Sequence, residues 1–209
     1  GDPSLDGALQ MDAPSFDRLA VWAGSDVPGW EKLQSLSLAG EVAATRERIK
    51  LDRATLTLDG SKGTGAIEID ARPTYVAVSG SLAFDTMSLD TILEAFLPLT
   101  TSEARDNQTS EPVGLPPIRA DLRLSASNGT VAGIEMTDVA TAIQVKESFA
   151  AFDLLDASLL GGNVEMSLRA DRQEHGVAAA LRIAATDIDG ATLANATDAT
   201  MLAPTGRGS

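Results

Sequence analysis

The sequence predicts a mainly β protein: a repeated, strongly curved antiparallel sheet, forming a groove or an open barrel-like body, with short helices at the repeat ends. Three observations predict it. Apolar and polar residues alternate at period two along most of the 209 residues, the pattern of strands with one buried face. Three segments align without a gap: Gly7-Ala-Leu-Gln-Met-Asp-Ala-Pro-Ser-Phe-Asp17, Gly80-Ser-Leu-Ala-Phe-Asp-Thr-Met-Ser-Leu-Asp90 and Ala179-Ala-Leu-Arg-Ile-Ala-Ala-Thr-Asp-Ile-Asp189. Each runs as a strand (Leu9/Met11, Leu82/Phe84, Leu181/Ile183), then a helix N-cap (Ser15, Ser88, Asp187) and a short helix. Finally, two strands change phase within themselves. Apolar positions move from odd to even after Leu51 in Ile49-Lys-Leu-Asp-Arg-Ala-Thr-Leu-Thr-Leu58. They move the other way after Met136 in Ile134-Glu-Met-Thr-Asp-Val-Ala-Thr-Ala-Ile-Gln-Val145. Such a slip turns every later side chain to the wrong face unless a bulge absorbs it, so both strands are expected to be bulged and to be the same strand of two repeats.

In order, 4–13 reads as a strand and 15–23 as a short helix. Strands follow at 33–42, 49–58, 65–70 and 75–84, divided by turn signals at 45–48, 59–63 and 71–74. A helix near 88–97 ends before Pro98. Residues 98–117, polar and proline-containing, read as a flexible linker. Strands resume at 118–125, 134–145, 150–155, 158–160, 163–170 and 177–184, and the end is weakly patterned. The organisation is thus a first unit over 1–97, including the end of a preceding repeat (1–24), then the linker, a second unit over 118–198 and a tail at 199–209. Stacked units of this kind form one continuous body, here expected to be a stretch of a longer protein.

Composition narrows the function. With 16 Lys+Arg against 30 Asp+Glu the net charge is -14, which repels phosphate backbones and anionic head groups, so nucleic acid is excluded as a partner. There is no cysteine, hence no disulfide framework or thiolate metal site. No run reaches the roughly 20 apolar residues that span a bilayer, and no signal peptide is recognisable.

The candidate chemical motifs favour structure over catalysis. Gly60-Ser-Lys-Gly-Thr-Gly65 places its lysine before the later glycines and runs into the strand Ala66-Ile-Glu-Ile69, unlike a phosphate loop; it reads as a glycine-rich hairpin turn. Asp187-Ile-Asp-Gly190 lacks the remaining ligands of a calcium loop. His175, the single histidine, lies in a polar turn without a nucleophile or metal partner. Asp17, Asp90 and Asp189 recur in the first helical turn, where a carboxylate complements the helix dipole. Trp22 and Trp30 flank the first loop and read as helix–sheet packing rather than a lipid-contacting rim. No catalytic, metal or cofactor site is predicted, and the chain is expected not to be an enzyme.

A sheet this rich in Val, Leu and Ile must cover its apolar face, since burying each such side chain is worth about 1.5–3 kcal/mol. It can curl, pair with a second sheet, or hold an apolar ligand. In the last case the inward residues are Leu36, Leu38, Leu56, Leu58, Ile67, Ile69, Leu82, Phe84, Ile143, Val145, Leu181 and Ile183. About ten strands at roughly 4.8 Å make a body of order 45 Å, enough to lay out one phospholipid but too short to join two membranes.

Leu36-Ser-Leu-Ala-Gly-Glu-Val42, Ile49–Gly60, Gly63-Thr-Gly-Ala-Ile-Glu-Ile69, Ala120-Asp-Leu-Arg-Leu-Ser125, Leu159-Leu-Gly-Gly-Asn-Val164 and the strand-cap-helix units, in this order, resemble the AsmA family of bacterial envelope proteins. The resemblance covers nearly the whole chain. It implies a periplasmic β-rich body of a protein anchored in the inner membrane of a diderm bacterium, similar to bridge-like lipid-transfer proteins. It further implies phospholipid transport between membranes and outer-membrane biogenesis, with phospholipid or another acyl lipid, and outer-membrane assembly components, as partners. The competing expectation is a structural or interaction module that assists outer-membrane protein assembly, its core closed and without a lipid groove.

Overall fold

A computed structural model describes residues 4–13, 35–93, 118–131, 133–159, 161–173 and 176–188. Ten strands form one sheet, in the order of the sequence: β1 (Leu5–Ala13), β2 (Leu36–Ala44), β3 (Arg48–Leu58), β4 (Ser61–Ala71), β5 (Val76–Ser88), β6 (Ile118–Val131), β7 (Ile134–Val145), β8 (Phe149–Leu159), β9 (Gly162–Gln173) and β10 (Gly176–Thr186). The sheet does not close, because β1 and β10 pair only with β2 and β9. Among the described residues no second sheet lies over it. The protein is mainly β, as the alternation predicts. The predicted helix 15–23, the linker 98–117, the tail, His175 and both tryptophans lie outside the described residues.

Eight of the nine strand pairs are antiparallel. The exception is β5–β6, which pair in parallel from Val76↔Ile118 to Ser88↔Thr130, so the sheet is mixed rather than purely antiparallel. Parallel neighbours need a crossover of a dozen or more residues, and 29 residues separate Ser88 from Ile118. The crossover opens with a helical segment, α1 (89–93). Ser88 caps it as predicted: its Oγ accepts from the Thr91 backbone N–H at 3.2 Å, and Asp90 falls in the first turn. At the equivalent Asp187 the backbone is left-handed (φ 57°), not the extended conformation of an N-cap, because the chain here folds over Gly162, where any Cβ would lie 2.3 Å from the Thr186 carbonyl oxygen.

Both predicted phase slips are bulges. In β3 the register shifts between Leu51 and Ala54, leaving Asp52 and Arg53 opposite Ala66 alone. In β7 it shifts between Thr137 and Ala140. The third residue of each slip, Arg53 (φ 49°) and Asp138 (φ 55°), takes the left-handed conformation. The two strands are nevertheless not equivalent members of a repeat. β3 runs with β5, whereas the parallel β5–β6 step makes β7 run against it. A crossover reverses strand parity, which alternation alone does not encode.

The Gly60–Gly65 stretch is also corrected. Only Asp59-Gly60 forms the turn, with both residues at positive φ (48° and 86°), as a two-residue hairpin loop requires. Gly63 and Gly65 sit inside β4, where β5 approaches too closely for a side chain: a Cβ on Gly65 would lie 1.9 Å from the Ser81 carbonyl oxygen, and one on Gly63 2.6 Å from the Phe84 ring. Likewise, 150–155 and the described residues of 158–160 are one strand, β8, with a register shift between Leu154 and Ser158.

Candidate functional site

Residues paired directly across strands share a face of the sheet, so the register assigns the faces. One row runs Ile67, Gly80, Leu122, Ile143, Phe152, Leu168, Leu181 through seven strands. The next runs Leu82, Leu124, Thr141, Leu154, Met166, Ile183. Leu38 and Leu56 join Phe84 through Gly63, Leu36 faces Leu58, and Ile69 joins Val145 through Val78 and Ala120. All twelve residues expected to face inward therefore lie on one side of one sheet. The opposite side carries rows such as Lys50, Glu68, Ser79, Asp121, Gln144.

The apolar side is unevenly covered. Its centre, β5–β8, is packed: Phe152 is fully buried and Val139 is 1% exposed, in a cluster with Leu82, Phe84, Ile143 and Val145. Leu89 of α1 is buried in the same cluster, with Ile92 and Leu93 packed on it, so the crossover begins by covering this part of the face. Thr141, the one buried polar residue of the described core, donates from Oγ1 to the Leu124 carbonyl oxygen at 3.4 Å. Toward β1 the side chains of Leu9, Met11, Leu36, Leu38, Leu56 and Leu58 are only half-buried. On β10, Leu181 and Ile183 are each 61% exposed.

Of the twelve residues, four thus belong to the packed centre, six are half-covered and two are open. Sequence reasoning overlooked Phe152 and Leu154, which lie at the middle of the same face. The signal was present: Phe152/Leu154 and then Ala157/Leu159 change parity across the register shift, as in β3 and β7, while Leu155, next to Leu154, faces outward at 53% exposure.

The polar side is a field of exposed ion pairs. Arg48–Glu68 (3.1 Å), Lys50–Asp52 (2.9 Å), Arg72–Asp70 (3.1 Å) and Arg169–Asp171 (2.7 Å) lie along it, with an Arg53–Glu41 contact at the β3 bulge. Arg169 also lies over the Phe149 ring (4.1 Å) and Arg119 over that of Tyr75 (4.1 Å), cation–π geometry. The Arg169 guanidinium, hydrogen-bonded to Asp171, holds that carboxyl below the usual range. Among the described residues no group of three His, Cys, Asp or Glu is placed to hold a metal ion, and no helix is long and apolar enough to cross a membrane. A depression of about 710 Å³ opens beside Thr86, Asn128, Thr137 and Ser158, with Met87 and Met136 also in its lining.

Compared with protein-family models, curated proteins and solved structures, the chain finds no match.

Proposed function

We propose that the chain is a non-enzymatic lipid-handling module that lays the acyl chains of a phospholipid along the apolar side of its sheet. The observation that carries this reading is the continuity of that side across β1–β10, with large side chains left half-covered on β1–β3 and open on β10. A sheet made only to enclose its own core has no use for apolar rows that continue beyond it. The described ion pairs lie along the polar side, away from the apolar rows. The resemblance to AsmA proteins supports placing the module in the periplasm, in a protein anchored in the inner membrane and serving phospholipid transport and outer-membrane biogenesis. The packed β5–β8 centre favours a second reading, a structural module for outer-membrane protein assembly.

A fluorescent fatty acid separates the two. In the lipid reading it binds the chain, and Leu58→Asp or Leu181→Asp weakens binding about tenfold or more, the scale of losing one apolar contact of about 1.4 kcal/mol or more. Thr57→Asp, one residue away on the polar side, leaves binding unchanged. Equal effects at 57 and 58, or no binding by the parent chain, would refute it.

A further inference from the structure

We infer that a crease in the polar side across β5–β8 binds a neutral, hydroxyl-rich ligand, a linear oligosaccharide lying across the strands. The acyl-chain reading concerns the other side of the sheet, so this inference stands apart from it. Four adjacent strands break their alternation at one level. Asp85-Thr86, Ser127-Asn128, Thr137-Asp138 and Leu155-Asp156 are each two consecutive exposed residues between buried neighbours. Strands bend where the pleat is interrupted. Beside the four breaks opens the depression of about 710 Å³, within the range of about 300–1,000 Å³ of small-molecule sites.

The register lays an uncharged row along this crease. Thr86 faces Asn128, Asn128 faces Thr137 and Thr137 faces Ser158, and the row continues to Asn163 and Thr186. Other rows of the same side carry ions, as in Arg48, Asp70, Ala77, Arg119. Thr86, Asn128, Thr137 and Ser158 are exposed and make no side-chain hydrogen bond among the described residues. Each can both donate and accept. Asn163 instead donates from Nδ2 to Asp156 Oδ1, which separates the crease from the rest of the row.

Charge selects among ligands. Glu135 lines the depression, Asp85, Asp138 and Asp156 belong to the breaks, and no Arg or Lys stands among the described lining residues. Phosphates and carboxylates are therefore repelled. Among the described residues no three acidic groups converge on a metal position. Met87 and Met136, 4% and 3% exposed, add apolar surface to the lining. A pyranose ring has hydroxyls at its edge and C–H groups on its face, so it matches both kinds of surface. Neighbouring strands stand about 4.8 Å apart, close to the length of one ring in an extended β-linked chain. Successive rings can then meet successive members of the row. No aromatic residue stands among the described lining residues, which keeps the dissociation constant near about 1 mM.

NMR titration of the labelled chain with cellotetraose, from about 0.1 to about 20 mM, tests this. The expected result is saturable shifts of the amides around 86, 128, 137 and 158, with glucose at least about tenfold weaker. Asn128→Ala and Thr137→Val should each weaken binding about fivefold, the scale of one lost hydrogen bond. Gln144→Ala, on the same side but outside the depression, should leave it unchanged. Tetragalacturonate, with a carboxylate on every ring, should bind at least about tenfold more weakly than cellotetraose. The amide spectrum shows directly whether each variant is folded. Shifts that do not saturate or that centre elsewhere would overturn the assignment. So would glucose or tetragalacturonate binding as tightly as cellotetraose, or a folded Asn128→Ala chain that binds like the parent.

Discussion

Two glycines in β4 decide how closely β4 and β5 can pair. Gly65 lies against the Ser81 carbonyl and Gly63 beneath the Phe84 ring, so Gly65→Ala should cost about 1–3 kcal/mol through overpacking. Gly7→Ala on β1, with nothing within 4 Å of a new Cβ, should cost far less; urea midpoints of the two variants measure the contrast. Arg53 holds a left-handed backbone that penalises any side chain, and Arg53→Gly should relieve it, whereas a β-branched residue there should destabilise. Asp171 gives the pH signature. Its carboxyl is held below the usual value of about 3.9 first by the Arg169 hydrogen bond. The stabilisation it contributes is therefore present at neutral pH and lost as pH falls through the lowered value. NMR titration should show its inflection below the usual value, returning toward it in Arg169→Met. At this scale the sequence was partly legible: the bulges announced themselves as broken alternation, but the packing role of Gly63 and Gly65 was hidden. A glycine run reads as a turn until the strand that approaches it is known.

For the elements, period two carried most of the information. β7 spans 134–145 as the alternation predicts, and β1, β3 and β10 begin and end within two residues of expectation. β8 was split because its bulge moves the inward positions from Phe152 and Leu154 to Ala157 and Leu159, which a pattern of alternating residues registers as a break. The capping rule succeeded at Ser88, where a helix follows, and failed at Asp187, where contact with Gly162 sets the backbone instead. Replacing Ser88 by alanine should cost about 1 kcal/mol, whereas Phe152→Ala, at the centre of the packed face, should cost about 3–5 kcal/mol. Chemical denaturation of the two variants orders them, and equal losses would mean that the cluster around Phe152 is not the main source of stability.

At the scale of the whole molecule, the described residues form an amphipathic sheet with distinct sides, and its strand ends also differ. The ends bearing Asp59, Asp85, Glu135, Asp156, Glu165 and Asp187 have Lys62 as their one described base, while Arg48, Arg72, Arg119, Lys146 and Arg172 gather at the opposite ends. The shared apolar side was legible because every strand alternates. The parallel β5–β6 step and the filling of the centre were not, since both depend on where the crossover returns and what it lays over the sheet. The central claim is that the uncovered apolar rows exist to meet lipid. Native mass spectrometry of the chain purified without detergent tests it most directly. The account predicts bound phospholipid on the parent chain and its loss in Leu58→Asp; a lipid-free parent that also takes up none from phospholipid vesicles would contradict it.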